Sequence, residues 1–134
     1  MATIVGGIDE RLRPYIRIEP ENAADGLLAL LDTGFNGELF IDEADADLLG
    51  FALREGYSKA TLAGGVVHNI RRGSGKIIWL GQLRRVEVLA AVTTGTRQHR
   101  PPDDPIALVG TKLLSPHLLL MDLAKRSIEI EAQD

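Results

Sequence analysis

Hydrophobic positions in this chain recur mostly at the two-residue period of strands, interrupted by short clusters of Gly, Asp, Asn and Pro. Residues 3–9 and 11–19 read as two strands joined around Ile8-Asp9-Glu10. In the second, Tyr15 and Arg17 alternate with Ile16 and Ile18, as a half-buried strand requires. Turn residues at 20–26 lead into Leu27-Leu28-Ala29-Leu30-Leu31, an unbroken apolar run too short for a helix, which predicts a buried strand. That strand runs into Asp32-Thr33-Gly34, and residues 37–41 predict a returning strand. Asp42 is placed to cap a short helix with an acidic first turn, and Gly50 to close it.

Between 55 and 92 the text is strand and turn. Residues 56–63 and 66–72 flank Gly64-Gly65, a hairpin signal because two glycines accept positive φ at the tip. Gly73-Ser74-Gly75 predicts another turn, followed by strands at 76–80 and 83–92 joined through Gly81-Gln82. The stretch 93–105, with three prolines, reads as a surface loop. Ile106-Ala107-Leu108-Val109-Gly110 predicts a second buried strand ending in glycine. Thr111 then caps a helical turn at 112–115 that Pro116 stops. Strands at 117–122 and 127–131 make a closing hairpin around 123–126. Many short strands with one or two short helices define an all-β architecture.

Composition narrows the picture. The 134 residues suffice for one domain, and 1–134 is read as a single unit. An apolar fraction of 45% with 25% charged residues is that of a globular chain. No apolar run is long enough for a membrane span, and the N-terminus lacks a basic region followed by an apolar core, so a soluble, cytoplasmic protein with no membrane partner is expected. The absence of cysteine removes disulfides, thiolate nucleophiles and cysteine zinc sites. A net charge of −4 argues against nucleic acid as a partner.

The candidate chemistry centres on Asp32. A carboxylate at the end of a buried strand costs free energy unless paired or hydrogen-bonded. Thr33 offers a hydroxyl, and Gly34 lets a second backbone approach. Taken alone the triplet reads as a loop with an Asx-turn, and only the rest of the chain raises the functional reading. The acids Asp42, Glu43, Asp45 and Asp47 lack the glycine and distal glutamate of a calcium loop and read as a capped, solvated helix. Gly73-Ser74-Gly75 lacks the spacing of a serine-hydrolase elbow. His68, His99 and His117 show no metal-ligand spacing and read as surface or turn residues, so no metal or cofactor is expected. Trp79 reads as core or interface packing. Arg71-Arg72 and Arg84-Arg85 read as solvated strand faces that could bias a substrate toward acidic peptides.

Taken together, Leu30-Leu31-Asp32-Thr33-Gly34, the hairpin around Ala63-Gly64-Gly65-Val66, and Leu108-Val109-Gly110 followed by Thr111-Lys112-Leu113-Leu114 resemble a retropepsin-like aspartic protease, the single-domain type of retroviruses and many bacteria. The likeness covers roughly residues 26–130, and Phe35-Asn36-Gly37 after the triplet is similar to the bacterial members. The resemblance implies a closed acid-protease half-barrel with a β-hairpin flap, with Asp32, Thr33 and Gly34 catalytic. It implies Ala63, Gly64, Gly65 and Val66 over the substrate, and Leu108, Val109 and Gly110 as the structural motif. One triplet is half a site, so it further implies a homodimer that hydrolyses peptide or protein substrates with a water activated by paired Asp32 carboxylates. The alternative from another class is a catalytically idle, protease-like dimer that binds peptides as a scaffold. A metal hydrolase built on the acidic cluster is a weaker third reading.

Overall fold

The structure is a computed structural model and describes residues 2–21, 26–61, 65, 67–92 and 107–133. In chain order its elements are β1 (Thr3–Ile8), β2 (Pro14–Pro20), β3 (Leu27–Leu31), β4 (Leu39–Asp42), α1 (Glu43–Leu48), β5 (Ala52–Leu53), β6 (Ser58–Thr61), β7 (Val67–Trp79), β8 (Gln82–Ala91), β9 (Ala107–Val109), α2 (Thr111–Leu114), β10 (Leu118–Asp122) and β11 (Ser127–Glu131). Residues 22–25 of the turn expected at 20–26, the hairpin residues Ala63, Gly64 and Val66, the loop at 93–105, with its His99, and Ile106 lie outside the described residues.

Six strands close into a barrel in the order β2, β3, β9, β4, β8, β7, the ring completed where Glu19 and Pro20 of β2 pair with Ile78 and Ile77 of β7. Pairs β3–β9 and β4–β8 are parallel, and the other pairs of the ring are antiparallel. Strands β1, β11 and β10 extend the sheet beyond β2, while β5 and β6 pair with β7. The period-two pattern sets which side chains fill the interior. In β2, Ile16 and Ile18 are fully buried while Arg17 and Glu19 face out. Leu39, Ile41, Ile77, Val86, Val88 and Val109 join them, together with Leu113 from α2. Each fully buried aliphatic side chain of this kind stabilises the fold by about 1.5–3 kcal/mol relative to exposure. No described helix is long and apolar enough to cross a membrane.

Several local details depart from expectation or are sharpened. Gly73-Ser74-Gly75 is not a turn but the middle of the thirteen-residue strand β7. The glycines are there for close approach: a Cβ on Gly73 would land on the Ala52 carbonyl of β5, and one on Gly75 would enter the Phe51 ring. The β7–β8 turn is Leu80-Gly81 rather than Gly81-Gln82. Trp79 pairs with Gln82, and both turn residues take positive φ, +52° and +79°, the twist that a two-residue hairpin needs. Thr111 is the first residue of α2, and Gly110 is its N-cap. Gly50 stands one residue beyond the C-cap Leu49, at φ +76°. Asp42 does cap α1, accepting from the Ala44 N–H at 3.2 Å.

His117 is half-buried rather than a surface histidine. The indole N–H of buried Trp79 donates to its Nε2 at 3.1 Å, and the rings tilt together at 6.0 Å. That bond requires an unprotonated Nε2, so the proton sits on Nδ1, which is buried without a hydrogen-bond partner among the described residues. Burial, reinforced by the Arg84 charge, holds the imidazole below its ordinary value of 6.5.

Two outcomes follow. Gly73→Ala should lower stability by about 1–3 kcal/mol in urea unfolding, since the new methyl meets backbone rather than a movable side chain. For His117, a folded value below the unfolded one means that the unfolded chain binds the extra proton. Its stabilisation is therefore full above about pH 6.5 and is lost as pH falls through the lowered folded value. The melting temperature of the wild type should fall from pH 7 to pH 5 more steeply than that of His117→Gln, and equal slopes would remove this assignment.

Candidate active site

The site is built by one crossing of the backbone. Strand β9 lies between β3 and β4, with Val109 paired to Leu31 on one side and to Leu39 on the other. The link from β3 to β4, residues 32–38, must therefore pass across the end of β9. Backbone hydrogen bonds fasten it there: Asp32 N–H to Val109 O at 2.9 Å, Gly110 N–H to Glu38 O at 3.1 Å, Thr111 N–H to Phe35 O at 2.8 Å and Lys112 N–H to Gly37 O at 3.2 Å. Thr111 adds its hydroxyl to the Phe35 carbonyl at 3.3 Å. Gly110 passes so close beneath the loop that any Cβ would land on the Gly37 and Phe35 carbonyl oxygens, which is why the apolar run of β9 ends in glycine.

Asp32 emerges from this fastening half-buried, with its backbone fixed and its carboxylate at a cleft of about 280 Å³. Its Oδ1 accepts the Gly34 N–H at 2.9 Å, and its carbonyl accepts the Phe35 N–H at 3.1 Å. The Asx-turn reading and the functional reading thus describe the same geometry: the turn aims the carboxylate, and its second oxygen makes no bond within the described chain. Phe35 is buried beneath, edge-on to Phe40 at 6.0 Å, in a small apolar cluster with Ile70 and Leu89 that supports the loop from below.

The structure brings Asp32, Gly34 and Leu108 to one cleft, with Ala60 and Thr61 of β6 on its border. Val109 and Gly110 lie buried under the loop, and Thr33 is exposed beside it. Strands β6 and β7 pair antiparallel from Ser58↔Ile70 to Thr61↔Val67, with the Thr61 end of β6 at the cleft. Gly65, between the two strands in sequence, is exposed at φ +76°, a conformation that favours glycine. Among the described residues no group of three His, Cys, Asp or Glu converges as a metal site.

Sequence reasoning passed over Glu38. It is 8% exposed, and its carboxylate accepts Arg84 Nη2 at 2.7 Å and the Glu87 N–H at 2.9 Å, tying the far end of the Asp32 loop to β8. A lone acid entering an apolar strand was the available signal, since such a charge needs a partner. Arg71 likewise is paired, with Glu43 at 3.3 Å, so half of the two arginine pairs is structural rather than solvated.

No protein-family model matches this chain, and no curated protein does. Solved structures do. A retropepsin-like aspartic protease from Rickettsia conorii is 18% identical, with a TM-score of 0.67 over 97% of this chain and 90% of that one. EIAV protease complexed with the inhibitor HBY-793 is 19% identical, with a TM-score of 0.55 over 79% and 88% of the two chains. At this identity the likeness establishes the fold, which is retropepsin-like.

Gly110→Ala is the sharpest test of the crossing. It should cost about 2 kcal/mol or more in denaturant unfolding, because both carbonyls that the methyl meets are already committed to the loop. A variant as stable as the wild type would show that the crossing is loose.

Proposed function

Starting from the retropepsin-like fold, we propose that two copies of this chain form a twofold dimer that acts as an aspartic endopeptidase. The observation that carries this is Asp32: a half-buried carboxylate with a fixed backbone, opening on a cleft beside a β-hairpin. Water activation of this kind uses two carboxylates, and each copy supplies one. A twofold axis sets the same patch of each chain against itself, so Asp32 meets its own counterpart. The exposed Thr33 beside it is available to brace the two loops across the axis. The edge strand β10, with Leu118, Leu120 and Met121 exposed, offers apolar surface for such an association.

Two carboxylates at close range cannot both ionise readily, so in the dimer they share one proton. The ionised member takes a proton from a water held between them, and that water attacks the peptide carbonyl. The protonated member donates to the carbonyl oxygen, and the roles exchange as the amine leaves. The β6–β7 hairpin, through Ala63, Gly64, Gly65 and Val66, closes over an extended peptide and excludes bulk water. No cofactor enters this chemistry.

Asp32→Asn should leave the melting temperature close to that of the wild type and lower cleavage of a diverse peptide pool by about 10²- to 10⁴-fold or more. Comparable cleavage by the variant, or full activity in a species whose solution mass is that of one chain, would overturn the proposal. A wild-type dimer that binds peptides and cleaves none would be the idle, scaffolding protein instead.

A further inference from the structure

A second, larger cleft of about 620 Å³ adjoins the one at Asp32, and the two have Arg72 and Glu87 in common. It is walled by β5 with the following Arg54 and by the β7–β8 ribbon. The ribbon's register puts Ser74 opposite Glu87, so these side chains share one face, and Arg85 Nη2 reaches diagonally to Ser74 Oγ at 3.2 Å. Arg54 is positioned by its backbone, its N–H donating to Arg72 O at 2.8 Å and its carbonyl accepting Arg71 Nε at 3.0 Å.

The charge of this cleft is unbalanced. Arg54, Arg72 and Arg85 are all exposed, and among the described residues none of the three has a carboxylate partner. Their sequence neighbours Arg71 and Arg84 do, in Glu43 and Glu38. The two acids of the cleft are already engaged. Glu38 is held by Arg84 and the Glu87 N–H, and Glu87 lies 3.7 Å from Lys112 Nζ. A chain of net charge −4 therefore gathers around one concavity beside its candidate active site three guanidinium groups that have no carboxylate partner among the described residues, one of them bonded to a serine hydroxyl. Guanidinium forks match carboxylates in two-point hydrogen bonds.

We propose that this cleft receives acidic side chains of the substrate, Asp or Glu lying about two to four residues from the bond that is cut. This rests on the endopeptidase reading of the Asp32 cleft. The spacing comes from strand geometry. Arg72 borders the Asp32 cleft, and Ser74 with its bound Arg85 lies two residues further along β7, about 7 Å at the rise of a strand. An extended peptide covers that distance in the same number of residues. In a twofold dimer each subunit supplies one such cleft, so acids are favoured on both flanks.

The test uses the full chain carrying Asp32→Asn, which binds without cutting, and fluorescent peptides of one core sequence flanked by Glu, Gln or Lys. Anisotropy should show the Glu peptide binding about tenfold more tightly than the Gln peptide at low salt, with the margin shrinking as salt rises. Adding Arg54→Gln and Arg85→Gln, both at exposed positions, should bring the Glu-to-Gln ratio close to one. Equal binding of Glu and Gln peptides, binding of neither, or a preference that survives the double substitution would overturn the proposal. Cleavage is read separately with wild-type Asp32. Selective binding without any cleavage leaves the acidic-peptide cleft standing and removes the endopeptidase reading. Cleavage indifferent to flanking charge does the reverse.

Discussion

The placement of Asp32 depends on one steric condition: the backbone at Gly110 has to pass directly beneath the carbonyls of Phe35 and Gly37. Because it can, β9 slips between β3 and β4, and the loop that joins those two strands is drawn taut over the crossing. Four backbone hydrogen bonds then hold residues 32–38, which leaves the Asp32 side chain little conformational freedom at its root. A carboxylate mounted on a mobile loop would lose that advantage, since placing a catalytic group accurately is a large part of what an active site supplies.

The supports around the loop are of two kinds, and they do different things. The apolar cluster of Phe35, Ile70 and Leu89 fills the space below, where packing resists collapse. Glu38 at the far end works by charge. Nearly buried, it is satisfied by Arg84 and a backbone N–H of β8, so the loop is tied to the barrel wall at both ends. The carboxylate is buried while Arg84 stays partly exposed, so the pair adds little net stability, yet a buried acid left without its partner is costly. Such a pair fixes position more than it adds free energy, which suits a residue six positions from the candidate catalytic acid.

Charge is distributed unevenly over the same ribbon. Alternation along β7 and β8 sends successive arginines to opposite faces, so each basic pair splits into one structural and one outward member. Arg71 and Arg84 find Glu43 and Glu38, while Arg72 and Arg85 face the cleft next to Asp32. The pairs read identically along the chain, and only the fold gives their members different work.

The all-β class, the buried strands at 27–31 and 107–109, the closing hairpin and the Asp32 turn were legible from the chain because each is a local pattern: alternation, an apolar run, or a turn-forming residue. The same local reading failed at Gly73-Ser74-Gly75, where glycine serves the close approach of Ala52 and Phe51, neighbours some twenty residues away. It missed the positive φ at Leu80 because strand register, not the residue's own preference, imposes it. It missed His117 because the partner, Trp79, is thirty-eight residues distant. The chain by itself determined most of the strand segments and which residue types stand at their ends, since those follow from period and from the φ that each residue tolerates. The tertiary structure alone decided that β9 would run between β3 and β4, and hence that Asp32 would be held at a cleft. That choice rests on contacts between residues about seventy-five positions apart, such as Thr111 and Phe35, which no short window contains.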